Sequence, residues 1–355
     1  MNGTLASTQL AGEGRSSAFC SQFQVGGVSV QVVSDFSPDV NLGSRLESFA
    51  TGWRAADIRV QIERLPHLPI VRDRQLFDSG AVWRLYECAR EFQFDFRTPA
   101  MGAGPYKRLI VDREFRRARL LLSRRRFTGE PNAALPLDYP LDELLIMHRL
   151  TQEKAIELHG TGLVRPDGEA NLFVGHSGAG KSTTTRLWRE REDVEVLSDD
   201  RIIVRRDKDA SVGRIPCQAA GDLCEYEILG SAQDDKSEKP IPSRRQSQGR
   251  NDKSRHTMLM YGTPWHGEAM YASPNSAPLT RILVLEHGHG NVIRPLTPSQ
   301  AVAELLARSF VPFHRHEYVE SALTFLEELV DSVPVYRYTF EPDGRAVEKI
   351  IHFHD

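Results

Sequence analysis

Apolar residues alternate with polar ones through much of the first third of the chain, and a helical spacing takes over only later. Val25–Val33, Ile58–Leu65, Val82–Cys88, Phe92–Phe96 and Ala118–Leu122 are short β-rich runs separated by turn residues. A two-residue period turns one face of a strand toward a core, so these runs predict a β-rich α+β domain over residues 19–140. The pair Tyr139-Pro140 closes that region. From Leu141 to Lys154 the period changes, and Leu141, Leu144, Leu145 and His148 fall on one helical face.

A different alternation follows, of strands with helices. Ala155–Val164 reads as a strand, Pro166-Asp167-Gly168 as a turn, and the wholly apolar end of Ala170–Val174 as a buried strand. Lys181–Glu190 is then helical, Val194–Leu197 a strand, and Ile202–Arg206 extended. A strand around Ile282–Glu286 and helices over Pro298 to about Phe310 and Glu317–Val330 complete an α/β pattern for residues 141–355. His314-Arg315-His316, between the last two, reads as a solvated helix start. Residues 1–18 are rich in small polar residues and predict a flexible N-terminus. Residues 233–255 carry almost no large apolar side chain and predict a mobile polar loop, either a lid or a solvated insertion.

Composition narrows the setting. The chain's 355 residues carry 45 Lys+Arg against 48 Asp+Glu, a formal net charge of -3. So balanced a chain gives no electrostatic argument for nucleic acid or an anionic membrane as partner. Its cysteines, Cys20, Cys88, Cys217 and Cys224, form no C-x-x-C pair and read as thiols of a reducing compartment. With no signal-like start and no apolar run of membrane-spanning length, a cytoplasmic protein is expected.

One segment carries specific chemistry. Gly175-His176-Ser177-Gly178-Ala179-Gly180-Lys181-Ser182 fits G-x-x-x-x-G-K-[ST], with a buried strand before it and a helix after. Glycines let backbone N–H groups turn inward around phosphates, and the helix start adds its positive dipole. Lys181 would supply a mobile charge at the β/γ-phosphates and Ser182 a hydroxyl for Mg²⁺. The pattern implies a nucleoside triphosphate with magnesium, held by residues 175–182 and Thr183. Asp199 and Asp200 end the strand after the loop helix. Two adjacent carboxylates suit two tasks there: one to hold the metal, one to accept a hydroxyl's proton.

Leu158-His159-Gly160, the glycine-rich loop, and Leu197-Ser198-Asp199-Asp200-Arg201 follow the order and spacing of the catalytic domain of HPr kinase/phosphorylase. The resemblance covers roughly residues 150–355. It is closer to the HPr-kinase-like proteins of peptide-modification clusters, which tend to carry the Gly-Thr-Pro-Trp found here at Gly262-Thr263-Pro264-Trp265. It implies a mixed sheet of the P-loop phosphoenolpyruvate-carboxykinase/HPr-kinase type and ATP with Mg²⁺ as cofactors. It implies an ATP-dependent kinase acting on a hydroxyl, a serine of a protein or peptide. By matching positions, Asp199 is the base, assisted by His159, Lys181 serves the phosphates, and Ser182 and Asp200 serve the metal. Glu268, beside the Pro-Trp segment, is placed near the metal, while Trp265 itself either walls an acceptor site or anchors the core. The family's phosphorolysis segment survives only as the fragment Glu227-Ile228-Leu229-Gly230, so the reverse reaction is not expected. Two alternatives remain: a kinase of free serine or a similar small alcohol, and a nucleotide-binding switch or scaffold without efficient transfer. The N-terminal half could recognise substrate or mediate assembly into a homo-oligomer.

Overall fold

The computed structural model describes residues 19–34, 42–69, 74–102, 104–124, 135–207 and 257–353. The N-terminal segment 1–18, Cys217, Cys224, the Glu227–Gly230 fragment and the polar loop 233–255 lie outside the described residues.

The first half is one eight-stranded sheet. Its strands are β1 (Phe19–Val25), β2 (Val28–Ser34), β3 (Ile58–Leu65), β4 (Arg74–Asp78), β5 (Trp83–Cys88), β6 (Glu91–Phe96), β7 (Lys107–Asp112) and β8 (Arg117–Ser123), with one helical turn, α1 (Ser44–Glu47), after β2. They lie in the order β1-β2-β3-β8-β7-β6-β5-β4, and only β2–β3 and β3–β8 are parallel. Helix α2 (Leu141–Leu150) covers this sheet, its Leu141, Leu145 and Ile146 packing in one core with Val30, Val60 and Phe94. It stops short of the expected Lys154, which has a left-handed φ of 45°; the Thr151 hydroxyl donates instead to the His148 carbonyl.

Where an unbroken strand Val25–Val33 was expected, the chain reverses at Gly26-Gly27. Their φ values of 57° and 73° are those of a two-residue hairpin turn, which a residue with a Cβ enters only under strain. The turn also docks on the second half. A Cβ on Gly26 would lie 2.5 Å from Ile203 Cδ1, and Arg205 donates to the Gly26 carbonyl at 2.6 Å.

The second half is a three-layered α/β unit. Its elements are β9 (Ala155–Val164), β10 (Ala170–Val174), α3 (Lys181–Arg191), β11 (Glu195–Ser198), β12 (Arg201–Arg206), β13 (Met258–Tyr261), β14 (Ser276–Pro278), β15 (Arg281–His287), β16 (Val292–Pro295), α4 (Pro298–Leu306), β17 (Ser309–Phe310), α5 (His316–Ser332), β18 (Val335–Phe340) and α6 (Gly344–Ile351). The strand order is β14-β13-β12-β9-β10-β15-β18-β16, with β11 and β17 also paired to β9. Strands β10, β15 and β18 run parallel; β9 is antiparallel to β10 and β12. Alternate residues of β10 feed two cores. Leu172 and Val174 pack toward Leu305, Phe325 and Leu329 of α4 and α5. Phe173 packs toward Leu187 and Trp188 of α3 and Val347 of α6. The helix expected to reach Phe310 ends at Leu306, and Ser309–Phe310 pairs with β9 instead. No helix among the described residues is long and apolar enough to cross a membrane.

His314 is not part of a solvated helix start. Its ring lies 5.2 Å from that of His148 and 5.5 Å from those of Phe92 and Tyr318, where the two halves meet. Burial lowers the His148 pKa to about 3, with His314 adding to the effect, and burial with the neighbouring Arg315 charge lowers His314 to about 4. Both rings are therefore neutral in the fold, while the unfolded chain binds their protons near pH 6.5. Stability from this pair is fully present above pH 6.5 and is lost as pH falls toward 4 and then 3, at ~1.4 kcal/mol per unit for each proton. Urea unfolding across that range will show His148→Leu flattening the acid limb; an unchanged slope would remove the histidines as its cause.

Candidate functional site

The ordered trio of motifs becomes one site because β9 lies between the other two. Its residue His159 faces Arg201 of β12, and the next residue, Gly160, faces Val174 of β10. Three backbone bonds close the junction: Gly175 N–H donates to the His159 carbonyl (3.3 Å), Gly160 N–H to the Asp200 carbonyl (3.1 Å), and His159 N–H to the Arg308 carbonyl (2.7 Å). Sequence-distant His159, Gly175 and Asp200 are thus fixed by strand register.

The loop leaves β10 and enters α3 through Gly180, whose φ is 99°. No side chain caps the helix and its first turn has no acidic residue. The free N–H groups of a helix start, with their partial positive charge, are left uncompensated there. His176, Ser177, Gly178 and Ser182 are exposed, Ala179, Gly180 and Thr183 half-buried, and Lys181 is buried. The Lys181 ammonium donates to the carbonyls of Gly175 (2.9 Å) and His176 (3.1 Å). Burial lowers its pKa; Asp200 opposes that, and the charges of Arg201 and Arg308 add to it. Lys181 is thus the cation seated on the loop itself, with Arg201 and Arg308 near enough for their charges to act on it.

The two aspartates are separated by their contacts. Asp200, half-exposed, receives the His159 Nε2 at 2.9 Å on Oδ1, and its Oδ2 pairs with Arg201. Burial alone would raise its pKa, but the His159 hydrogen bond and the charges of Arg201, His159 and Lys181 outweigh that and lower it. Asp199 is buried and turned the other way. Its oxygens accept the backbone N–H groups of Gly267 (2.9 Å) and Ala269 (3.0 Å). The expected partnership of His159 with Asp199 is thus not the one seen: the imidazole pairs with Asp200, because consecutive residues in this turn point to different neighbours.

Arg201 is the hub beneath the site. It pairs with Glu143 (2.9 Å) and Glu157 (3.5 Å) as well as Asp200, and its guanidinium lies 4.0 Å from the Phe310 ring centroid. Full burial pushes the Glu157 carboxyl well up, and the adjacent Glu143 charge adds to it. The segment Gly262–Ala269 forms the outer wall. Thr263 donates to the Arg201 carbonyl (2.8 Å), and Trp265 is buried in the core of the first sheet with its indole N–H on Asp142 (3.0 Å). Trp265 is therefore a core anchor. Glu268 is exposed and makes no hydrogen bond or ion pair within the described residues, so no contact brings it to Asp200.

The residues fit a triphosphate and a magnesium ion. Among the described residues no three His, Cys, Asp or Glu side chains form a ready-made metal cage. Magnesium usually takes one or two carboxylates together with substrate oxygens and water. Asp200, kept anionic, and the exposed Ser182 hydroxyl are donors of that kind. Sequence reasoning missed Glu143, Glu157 and Arg308, and also His287, whose Nε2 lies 2.8 Å from the Gly178 carbonyl of the loop. Arg201 adjoins the aspartate pair and was legible in part; Glu143, Glu157 and Arg308 reach the site only through sheet and helix packing. No protein-family model matches the chain, and no match to it is found among curated proteins.

Proposed function

We propose that this chain is an ATP-dependent kinase of HPr-kinase-like architecture that transfers the γ-phosphoryl group to a hydroxyl, a serine of a protein or peptide. What carries the reading is the convergence of the Gly175–Ser182 loop, Lys181 and the His159–Asp200 pair on the carboxyl end of one buried strand. Phosphoryl transfer asks for positioning and charge neutralisation more than for covalent chemistry. The α3 amides and Lys181 hold the phosphate oxygens, with Arg201 and Arg308 adding positive potential. Ser182 and Asp200 would hold magnesium, which would supply further charge neutralisation at the phosphates. Because His159 Nε2 faces Asp200, the other ring nitrogen is left to take the proton of an incoming hydroxyl, and Asp200 orients the ring. Asp199 then acts on the site through the 262–269 wall it anchors.

The test is incubation of the full chain with γ-labelled ATP, Mg²⁺, and separate pools of peptides, proteins and small alcohols. Label in a phosphoserine of a peptide or protein is the expected result. Label in free serine alone would make the small-molecule alternative correct, and tight ATP binding with no labelled acceptor would overturn the kinase reading. Asp200→Asn is expected to lower turnover by roughly 10²-fold or more and to distort the pH–rate profile, because it loosens the orientation of the His159 base as well as a magnesium ligand. Asp199→Asn will lower it without moving the profile; the opposite pattern would return the base to Asp199.

A further inference from the structure

The loop has a second neighbour that the transfer chemistry does not use. His287 is the last residue of β15, and the parallel register that sets Val174 opposite Val284 brings it level with the loop. Its Nε2 lies 2.8 Å from the Gly178 carbonyl and donates to it. Across the next parallel pair, His287 faces Phe340 of β18, and the two rings stack at 5.5 Å and 29°. Phe340 is itself stacked on Tyr338 at 5.7 Å and is 1% exposed, whereas His287 is exposed. One face of the imidazole is thus backed by a buried aromatic column, while the residue as a whole stays exposed. Gly180 completes the packing, since a Cβ there would lie 2.5 Å from Phe340 Cζ and 3.2 Å from His287 Cε1.

The position selects the ligand part. Asp200 and His159 lie on the β9–β12 side of the loop, so the reacting end of a triphosphate points that way. Its other end leaves over β15 and β18, at the carboxyl ends of parallel strands, where open α/β sheets bind ligands.

We infer that the exposed face of His287, backed by Phe340, is the stacking platform for the heterocyclic base of the bound nucleotide. The inference rests on the kinase reading and names the seat of its nucleoside end. A base presents a π-face to such a platform whatever its edge groups, so the seat gives affinity for a nucleotide over a bare polyphosphate.

Calorimetric titration with Mg²⁺ compares ATP with inorganic tripolyphosphate on the full chain. The wild type is expected to bind ATP more tightly than tripolyphosphate. His287→Ala should weaken ATP about tenfold and leave tripolyphosphate unchanged, and His287→Phe, which stacks but cannot reach the Gly178 carbonyl, should restore ATP binding. Equal weakening of both ligands would mean that His287 merely props the loop, and no weakening of ATP would mean that the base sits elsewhere; either overturns the inference. Binding of neither ligand by the wild type overturns the nucleotide reading along with it. Loss of the His287 effect while acceptor labelling persists overturns the platform alone.

Discussion

Lys181→Ala will reduce transfer from ATP by roughly 10²–10³-fold, the usual cost of deleting one donor aimed at developing charge in a preorganised site. The side chain is buried, yet among the described residues its ammonium hydrogen-bonds only to the Gly175 and His176 carbonyls. Those two bonds hold the charge over the loop at modest strength and can be exchanged for phosphate oxygens when a nucleotide enters. The lowered pKa has the same origin, burial only partly offset by Asp200. An anionic triphosphate would raise it again, so binding and protonation reinforce each other. Losing the two carbonyl bonds should cost about 1–3 kcal/mol, because the exposed His176 carbonyl can turn to water while the buried Gly175 carbonyl loses a partner. Thermal unfolding therefore serves as the control, and turnover at saturating ATP as the readout. Lys181→Arg is not expected to rescue, since a planar fork does not replace a point charge seated between two carbonyls. Wild-type turnover in Lys181→Ala would sink the assignment of the loop to the reacting phosphates.

The site's ingredients were readable because each is local. The glycine pattern, the buried strand before it and the helix after it all lie within residues 170–191. The division of labour within Asp199-Asp200 was not readable. Neighbours in a turn differ only in the direction of their side chains, and the contacts that distinguish them come from Gly267 and Ala269 on one side and His159 on the other. Several strands were missed for a similar reason. Lys107-Arg108 opens β7 with two cations, a poor signal for burial, yet Arg108 forks onto Asp95 at 2.6 and 3.0 Å and Lys107 pairs with Asp138. Burial of such residues depends on partners 13 and 31 positions away, which no local period reveals. The hairpin at Gly26-Gly27 carried a legible signal, a Gly-Gly pair between apolar runs. His287 offered a weaker one, the Gly-His-Gly turn that follows it at the end of a buried strand.

Trp265→Ala should be the most damaging single change outside the loop, and it should act on chemistry as well as on stability. The indole is 3% exposed among core residues of the first sheet, so its removal will cost roughly 3–5 kcal/mol through lost burial and an unfilled cavity. It also strands Asp142. That carboxylate is fully buried; burial raises its pKa, while Arg45 at 2.8 Å and the Trp265 N–H at 3.0 Å pull it back. Trp265 belongs to the same short segment whose Gly267 and Ala269 amides hold Asp199 and whose Thr263 holds Arg201. Gly262 fixes the segment's near end, where a Cβ would sit 2.1 Å from the Ser273 carbonyl oxygen and 2.5 Å from that of Leu197. An anchor in one half of the molecule thereby sets the wall of the site in the other. Trp265→Phe separates the two effects in large part: it keeps an aromatic ring in the core and removes the N–H with part of the indole volume. It should cost about 1–3 kcal/mol for the Asp142 oxygen left short of a partner. In that variant kcat should fall with the ATP Kd unchanged, since among the described residues no hydrogen bond or ion pair joins the phosphate loop to the wall. A proportional weakening of ATP binding would show that the wall supports the nucleotide rather than the acceptor side, and unchanged kcat in Trp265→Phe would break the proposed link from Asp142 to Asp199.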